Sequence, residues 1–261
     1  MRLVTWNINS LRLRLDLLRR LVREEQPDVI CLQEIKVADG AFPELELRAL
    51  GYPNILRHGM KSYNGVAILS RLPFLARDPQ DWCARSDSRH GRVVLGGDLD
   101  LQNFYVPAGG DEPDPARNVK FAHKLQFLDE VRAHFARGRP PRRAILVGDL
   151  NVAPLEHDVW SHKQLLRVVS HTPIEVEKLS AIAAAGRWVD AARHFVPETE
   201  KLFSWWIYRS PDWTRNDRGR RLDHIWVTPD LRRELKSLRI RRDMRSWPQP
   251  SDHVAVVLDL K

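Results

Sequence analysis

Short apolar runs rich in β-branched residues recur from one end of the chain to the other. They are RLVTW (2–6), DVICLQ (28–33), GVAILS (65–70), RVVLGGDLDL (92–101), FYV (104–106), AILVG (144–148), LDHIWVT (222–228) and HVAVVLDL (253–260). Gly, Pro and Asp clusters separate them, which is the punctuation of strands. None approaches the roughly 18 consecutive apolar residues of a membrane span. In RVVLGGDLDL and HVAVVLDL the later residues alternate apolar with polar, as a strand with one wet face should. Helical spacing is rarer. SLRLRLDLLRRLVREEQ (10–26) sets Leu11, Leu15, Leu18 and Val22 on one face ahead of Pro27. NVKFAHKLQFLDEVRAHFARG (118–138) aligns Phe121, Leu125, Leu128, Val131 and Phe135 before Gly138, and IEVEKLSAIAAAG (174–186) is a shorter third candidate. Strands outnumber helices, and no repeat, low-complexity tract or long linker divides the chain. The expected fold is α/β, two packed sheets with helices outside, in one domain over residues 1–261.

Several of these runs give way to the same kinds of residue. Asn7 and Asn9 follow LVTW, Glu34 follows VICLQ, and Asp149 and Asn151 follow AILVG. Asp223 and His224 stand near the head of a later strand, and Asp252 and His253 introduce the last one. A single strand-end Asp or Asn usually serves a turn. Together they would line an acidic, oxygen-rich pocket, provided the strand ends converge. In GDLNVAP (148–154), Asp149 and Asn151 would share one direction if the extended chain continued. A buried carboxylate there needs a cation, a donor network or water. Oxygen donors suit Mg²⁺, with Mn²⁺ as a substitute. CxxC, HExxH, GxSxG, Walker A and GxGxxG patterns are all absent, which argues against zinc, a nucleophile elbow and a nucleotide-binding loop. Metal-assisted hydrolysis remains, with a carboxylate and an imidazole for proton transfer.

A net charge of +8 and a pI near 9.8 favour a polyanionic partner such as nucleic acid. On charge alone, a soluble protein that happens to be basic fits as well. The basic run RRELKSLRIRR (232–242) reads as a solvated face. Cys31 and Cys83 cannot make a disulfide scaffold, and Cys31 inside VICL reads as an inert buried thiol. MRLVTWNINS lacks a secretory pattern, so the expected compartment is the cytoplasm.

The chain resembles the exonuclease III family of DNA-repair nucleases, within the endonuclease/exonuclease/phosphatase superfamily. The matching segments are TWNINSLR (5–12), PDVICLQEIK (27–36), NGVAILSR (64–71), FYVPAGG (104–110), GDLNVAP (148–154), FSWWIYRS (203–210), GRRLDHIW (219–226) and PSDHVAV (250–256). LQE and GDxN alone would also fit phosphatases or lipid phosphodiesterases of the superfamily; Trp205-Trp206 with RRLDHIW narrows the likeness to the DNA-repair branch. The resemblance implies a four-layer αββα sandwich of mostly antiparallel sheets and Mg²⁺-dependent cleavage 5′ to abasic sites. It also implies cleaning of blocked 3′ ends and 3′–5′ exonuclease action on double-stranded DNA, by an enzyme expected to be a monomer.

Residue by residue, the resemblance makes Glu34 a metal ligand with Asn7 beside it and Asp252 assisting. Asp149 would orient or deprotonate water, Asn151 would contact the phosphate, and His253 would be buttressed by Asp223. Tyr105 would stand near the scissile phosphate as donor or phenolate. Trp205 and Leu222 would wall a pocket for a base-less sugar, with Trp206 open to a core role. Lys61, Arg92 and Lys120 would meet DNA phosphates. His224 should point away. The sequence departs from the family pattern at Arg220, where some relatives carry an aromatic wall, and at Ala108, where an amide side chain is frequent. A catalytically silent DNA-binding module is the rival from another class.

Overall fold

In the computed structural model, which describes residues 1–138, 140–208 and 212–261, the apolar runs do form strands. In chain order these are β1 (Arg2–Asn7), β2 (Val29–Gln33), β3 (Asn54–His58), β4 (Val66–Ser70), β5 (Ala76–Arg77), β6 (His90–Leu95) and β7 (Leu99–Tyr105). There follow β8 (Ala144–Asp149), β9 (Val189–Asp190), β10 (Trp205–Trp206), β11 (Gly219–Arg220), β12 (Asp223–Val227), β13 (Leu235–Ile240) and β14 (Val256–Leu260). One six-stranded sheet has the order β13-β14-β1-β2-β4-β3, the other β5-β6-β7-β8-β12-β9, and β10-β11 is a separate ribbon. Each large sheet contains one parallel pair, β1 with β2 and β7 with β8. The remaining pairings are antiparallel.

Alternation along the strands sorts the side chains into layers. Leu3, Val29, Cys31 and Ile68 of the first sheet pack against Val93, Leu101, Ile145, Val147 and Ile225 of the second. On the outer face of the first sheet, Val4, Trp6, Ile30 and Leu32 meet Leu18, Leu21 and Val22 of the helix Leu15–Glu25. On the outer face of the second, Phe104, Leu146 and Trp226 meet Phe127, Leu128, Val131 and Phe135 of the helix Val119–Ala136. Leu179 and Ile182 of the helix Pro173–Gly186 join that layer. The architecture is the expected four-layer αββα sandwich. No helix among the described residues is long and apolar enough to cross a membrane.

Some expectations need correction. RVVLGGDLDL is a hairpin: β6 and β7 pair antiparallel with Leu95 opposite Leu99, and Gly97 takes φ +69° in the turn. Each arm keeps its alternation, which is why the segment reads as one strand. The first helix begins at Leu15, because Asn9 and Ser10 have positive φ and the backbone bends before it can coil; Leu11 is buried in the core all the same. The extended chain also stops at Asp149, since Asn151 lies in the left-handed region at φ +53°. Part of RRELKSLRIRR is the edge strand β13, with Arg239 paired to Glu25 and Asp259, and Arg241 beyond it paired to Glu24 and Glu25. Charges on an edge strand discourage pairing with another chain. Burial pushes the Cys31 thiol far above its usual range, so it stays protonated.

Two buried histidines stay out of the polar cluster at the strand ends, His90 beside Trp82 and Phe104 and His224 turned to the Val152 carbonyl. Burial pushes His90 down to about 3 and His224 down to about 4, so both are neutral in the fold. The unfolded chain binds protons at these rings near pH 6.5. Their contribution to stability is therefore complete above that pH and is lost as pH falls toward their folded values. The urea midpoint should drop between pH 7 and 5, and His224→Gln should flatten the drop. An equal pH slope in the variant would contradict this.

Candidate active site

The two parallel pairs set the site. Asn7 ends β1 opposite Gln33, Glu34 follows β2 directly, and Tyr105 ends β7 opposite Asp149, the last residue of β8. Asp223 begins β12 opposite Asp149 from the other side. The carboxyl-terminal ends of β1, β2, β7 and β8 and the start of β12 meet at one rim, the usual ligand-binding edge of α/β sheets. Gly148 makes the approach possible: a Cβ there would stand 1.9 Å from the Phe104 carbonyl oxygen. Beneath the rim a buried amide bridge joins the sheets. Gln33 donates to Thr5 (3.0 Å) and Asn103 (2.7 Å), and Asn103 donates to the carbonyls of Leu32 (3.0 Å) and Ala67 (3.1 Å).

Asn7 ties the sheets together at the rim itself. Its Nδ2 lies 2.9 Å from both Glu34 Oε1 and Asp149 Oδ2. Asp149 Oδ1 accepts the backbone N–H of Asn151 (3.0 Å), and its Oδ2 accepts the Asn151 side chain (3.2 Å). The two therefore meet through a tight turn rather than through strand alternation. Tyr105 donates its hydroxyl to Glu34 Oε1 at 2.9 Å. His253 places Nδ1 2.8 Å from Asp223 Oδ2 and turns Nε2 toward Asp149 Oδ2 at 3.6 Å. Asp149, Asp223 and His253 are all buried and their ligand atoms lie within 4.8 Å of one another. Asp252 accepts from Asn9 and from the Trp205 indole, each at 3.0 Å.

Burial, with repulsion from Asp223 and Glu34, raises Asp149 to about 7 despite the opposing pull of His253. Burial disfavours the His253 imidazolium, yet Asp223, Asp149 and Asp252 outweigh it and lift the ring to about 10. Glu34 is held below the ordinary carboxylate range: burial resists ionisation, while Lys36 and Asn7 outweigh that resistance. Burial first, then Glu34 and Asp149, push Tyr105 well above its usual value.

Further residues belong to this arrangement without having stood out in the sequence. Lys36 sits 2.7 Å from Glu34 Oε2 and donates to Asn9 Oδ1 at 2.6 Å. Ser204 donates to Asp223 Oδ2 at 2.6 Å while accepting the Asp223 N–H at 3.0 Å. Lys124, buried in the helix behind the site, donates to the carbonyls of Asn151 (2.7 Å) and Ala108 (3.2 Å) and pairs with buried Glu175. The EIK spacing after LQE was a usable signal for Lys36. Lys124 looked like any lysine off a helix's apolar stripe.

The substrate-contact set divides. Half-buried Trp205 packs against the cluster of Leu222, Ala153, Val159 and Leu165, so the two wall residues do adjoin. Trp206 is a core residue against Phe203 and Trp213, its indole donating to Asp217 at 2.9 Å. His224 points away, to the Val152 carbonyl at 2.9 Å. Arg92 is not brought to the rim. It grips Asp100 (3.0 Å) and Asp78 (3.1 Å), because a cation on a strand reads alike whether it faces a phosphate or a neighbouring carboxylate. Lys61, in the loop before β4, and Lys120, in a first helical turn, are exposed and do not contact the cluster. Arg209 and Ser210 of FSWWIYRS lie outside the described residues.

The donor set fits a hard divalent cation. Glu34, Asp149 and Asp252 present carboxylate oxygens around one rim, the first two drawn together by the Asn7 amide, and no thiolate lies among them.

Comparisons agree with this geometry. The model of the endonuclease/exonuclease/phosphatase family matches residues 4–253. Exodeoxyribonuclease III of Haemophilus influenzae is 32% identical over 275 aligned residues, covering 100% of both chains. An exodeoxyribonuclease of Bacillus subtilis is 29% identical, with 99% of this chain and 98% of that one covered. Among solved structures, an AP endonuclease from Archaeoglobus fulgidus superposes with TM-score 0.91 at 29% identity, covering 100% and 99% of the two chains. A 3′ phosphatase from Neisseria bound to a product DNA hairpin gives TM-score 0.88 at 28% identity, with the same coverage. By fold, by strand-end chemistry and by likeness along its whole length, the chain belongs to the endonuclease/exonuclease/phosphatase family, in its exodeoxyribonuclease III branch.

Proposed function

We propose that this protein is a DNA-repair phosphodiesterase requiring Mg²⁺, for which Mn²⁺ can substitute. It incises duplex DNA 5′ to abasic sites, clears blocked 3′ ends and digests strands 3′ to 5′. The observation that carries the reading is the meeting of Asn7, Glu34 and Tyr105 with Asp149, Asn151, Asp223 and His253 at one rim, drawn from both sheets. The named activities of the Haemophilus exodeoxyribonuclease, the Archaeoglobus AP endonuclease and the DNA-bound Neisseria phosphatase support the choice of substrate.

Glu34 and Asn7 would hold the ion with Asp252 close by, and the bound ion would polarise the phosphate and offset its charge. Asp149, fixed by donors from Asn7 and Asn151, orients the attacking water and takes its proton. His253, held through Nδ1 by Asp223, turns protonated Nε2 toward the phosphate oxygens and steadies their charge. The Asn151 amide and the Tyr105 phenol are further donors at the same rim.

The test is direct. Wild-type enzyme with Mg²⁺ should nick an abasic duplex and release phosphate from a 3′-phosphate end. EDTA should abolish both, and added Mg²⁺ restore them. Hydrolysis of an inositol phosphate or sphingomyelin with no action on DNA would overturn the reading.

A further inference from the structure

We propose that Arg220 determines which group this site accepts: it restricts the apolar recess beside Trp205 against a base-less sugar inside a continuous strand, and favours an oxyanion carried at a DNA 3′ end. This deepens the DNA phosphodiesterase reading and rests on it.

The backbone of Arg220 is held on both sides, by pairing with Trp205 in the ribbon and by a bridge to Val159. Its side chain then reaches from Trp205 to the Val169–Ser170 turn. The guanidinium lies over the Trp205 ring, 5.2 Å from the centroid. On the far side its Nη1 donates to the Val169 carbonyl (2.9 Å) and to Ser170 Oγ (2.7 Å). The apolar cluster of Ala153, Leu165 and Leu222 packs against Trp205, and the Ala153 N–H donates to the Ser170 carbonyl at 2.7 Å. Trp205 also bonds Asp252 and bridges His253, so the barred recess opens beside the reacting centre.

Electrostatics decides what this bar prefers. Its neighbour Arg221 is paired with Asp158 (2.8 Å) and Asp190 (2.6 Å). Among the described residues Arg220 has no such carboxylate, for Glu175 is taken by Lys124. The Arg220 Nε is buried without an acceptor. A desolvated cation with an open donor gains from an anion; a deoxyribose ring offers neither charge nor a matching fork of oxygens. A terminal phosphate or phosphoglycolate offers both. On a 3′-phosphate, the oxygen of water forms the new bond to phosphorus and the bond to the 3′ oxygen breaks. The proton that water gives up ends on that 3′ oxygen, leaving a 3′-hydroxyl and inorganic phosphate.

Catalytic efficiencies of wild type, R220L and R220K on a 3′-phosphate duplex, a 3′-phosphoglycolate duplex and an internal tetrahydrofuran duplex provide the test. R220L should lower both end-cleaning reactions and raise internal incision, moving their ratio about 100-fold, within the range open to one recognition contact. R220K keeps the charge without the planar bridge and should move the ratio the same way by a few-fold; it carries the test alone if R220L does not fold. Ratios unchanged within about twofold, or a parallel loss on all duplexes, would overturn the role of Arg220. Wild type inactive on every duplex would instead overturn the parent reading.

Discussion

Asp149→Asn should slow Mg²⁺-dependent DNA cleavage by about 10³- to 10⁴-fold, the scale seen when an acid–base group of a hydrolytic site is neutralised without changing its shape. The substitution does two kinds of damage. It removes the carboxylate that takes the proton from water, and it misfits its donors. Oδ1 accepts the Asn151 N–H, while Oδ2 accepts both the Asn7 and Asn151 amides. An asparagine must set its own NH₂ against one of these, loosening the turn. The Asp149 charge also helps keep His253 protonated, so the imidazolium should titrate at lower pH in the variant. Single-turnover rates measure the chemistry, and filter binding should show DNA affinity undiminished, because a negative charge near the phosphate has gone. A variant retaining a tenth of the wild-type rate would remove Asp149 from the centre of the reaction.

Lys124→Met should destabilise the fold by about 3 kcal/mol, the low end of the cost of stranding one member of a buried pair. Lys124 and Glu175 are both fully buried. Glu175 keeps its bonds from the Ser170 and Thr172 N–H groups and the Thr172 hydroxyl, which softens the loss. Activity should fall as well, because the ammonium holds the Asn151 and Ala108 carbonyls. The double variant K124M/E175Q separates these effects. Removing both charges should recover most of the stability by urea unfolding, yet kcat should stay low, since nothing replaces the donor behind Asn151. Recovery of both together would make Lys124 merely structural.

The layers and most of the rim were legible because their signals are local. Strands that run into Asn7, Glu34 and Asp149, and the one that starts at Asp223, state their own polarity, and strand pairing does the rest. What escaped depends on long-range closure. Nothing in the sequence distinguishes Lys124, which supports Asn151 from another layer, from Lys120 one turn earlier in the same helix, which faces solvent. Arg92 and Arg220 are both strand arginines; whether each finds a carboxylate is decided by neighbours far along the chain. The GGD turn at 96–98 was hidden because alternation resumes in phase on its far side.

The pairing of β14 between β1 and β13 makes the earliest strand wait for the latest. While a ribosome is still extending the polypeptide, residues 2–7 have a neighbour on one side only, and the imidazole of His253 has not yet been delivered. Backbone-cutting ability therefore switches on only once residues 253–260 have emerged and closed that seam of the sheet. A nascent polypeptide that has not reached residue 253 lacks the imidazole that completes the rim.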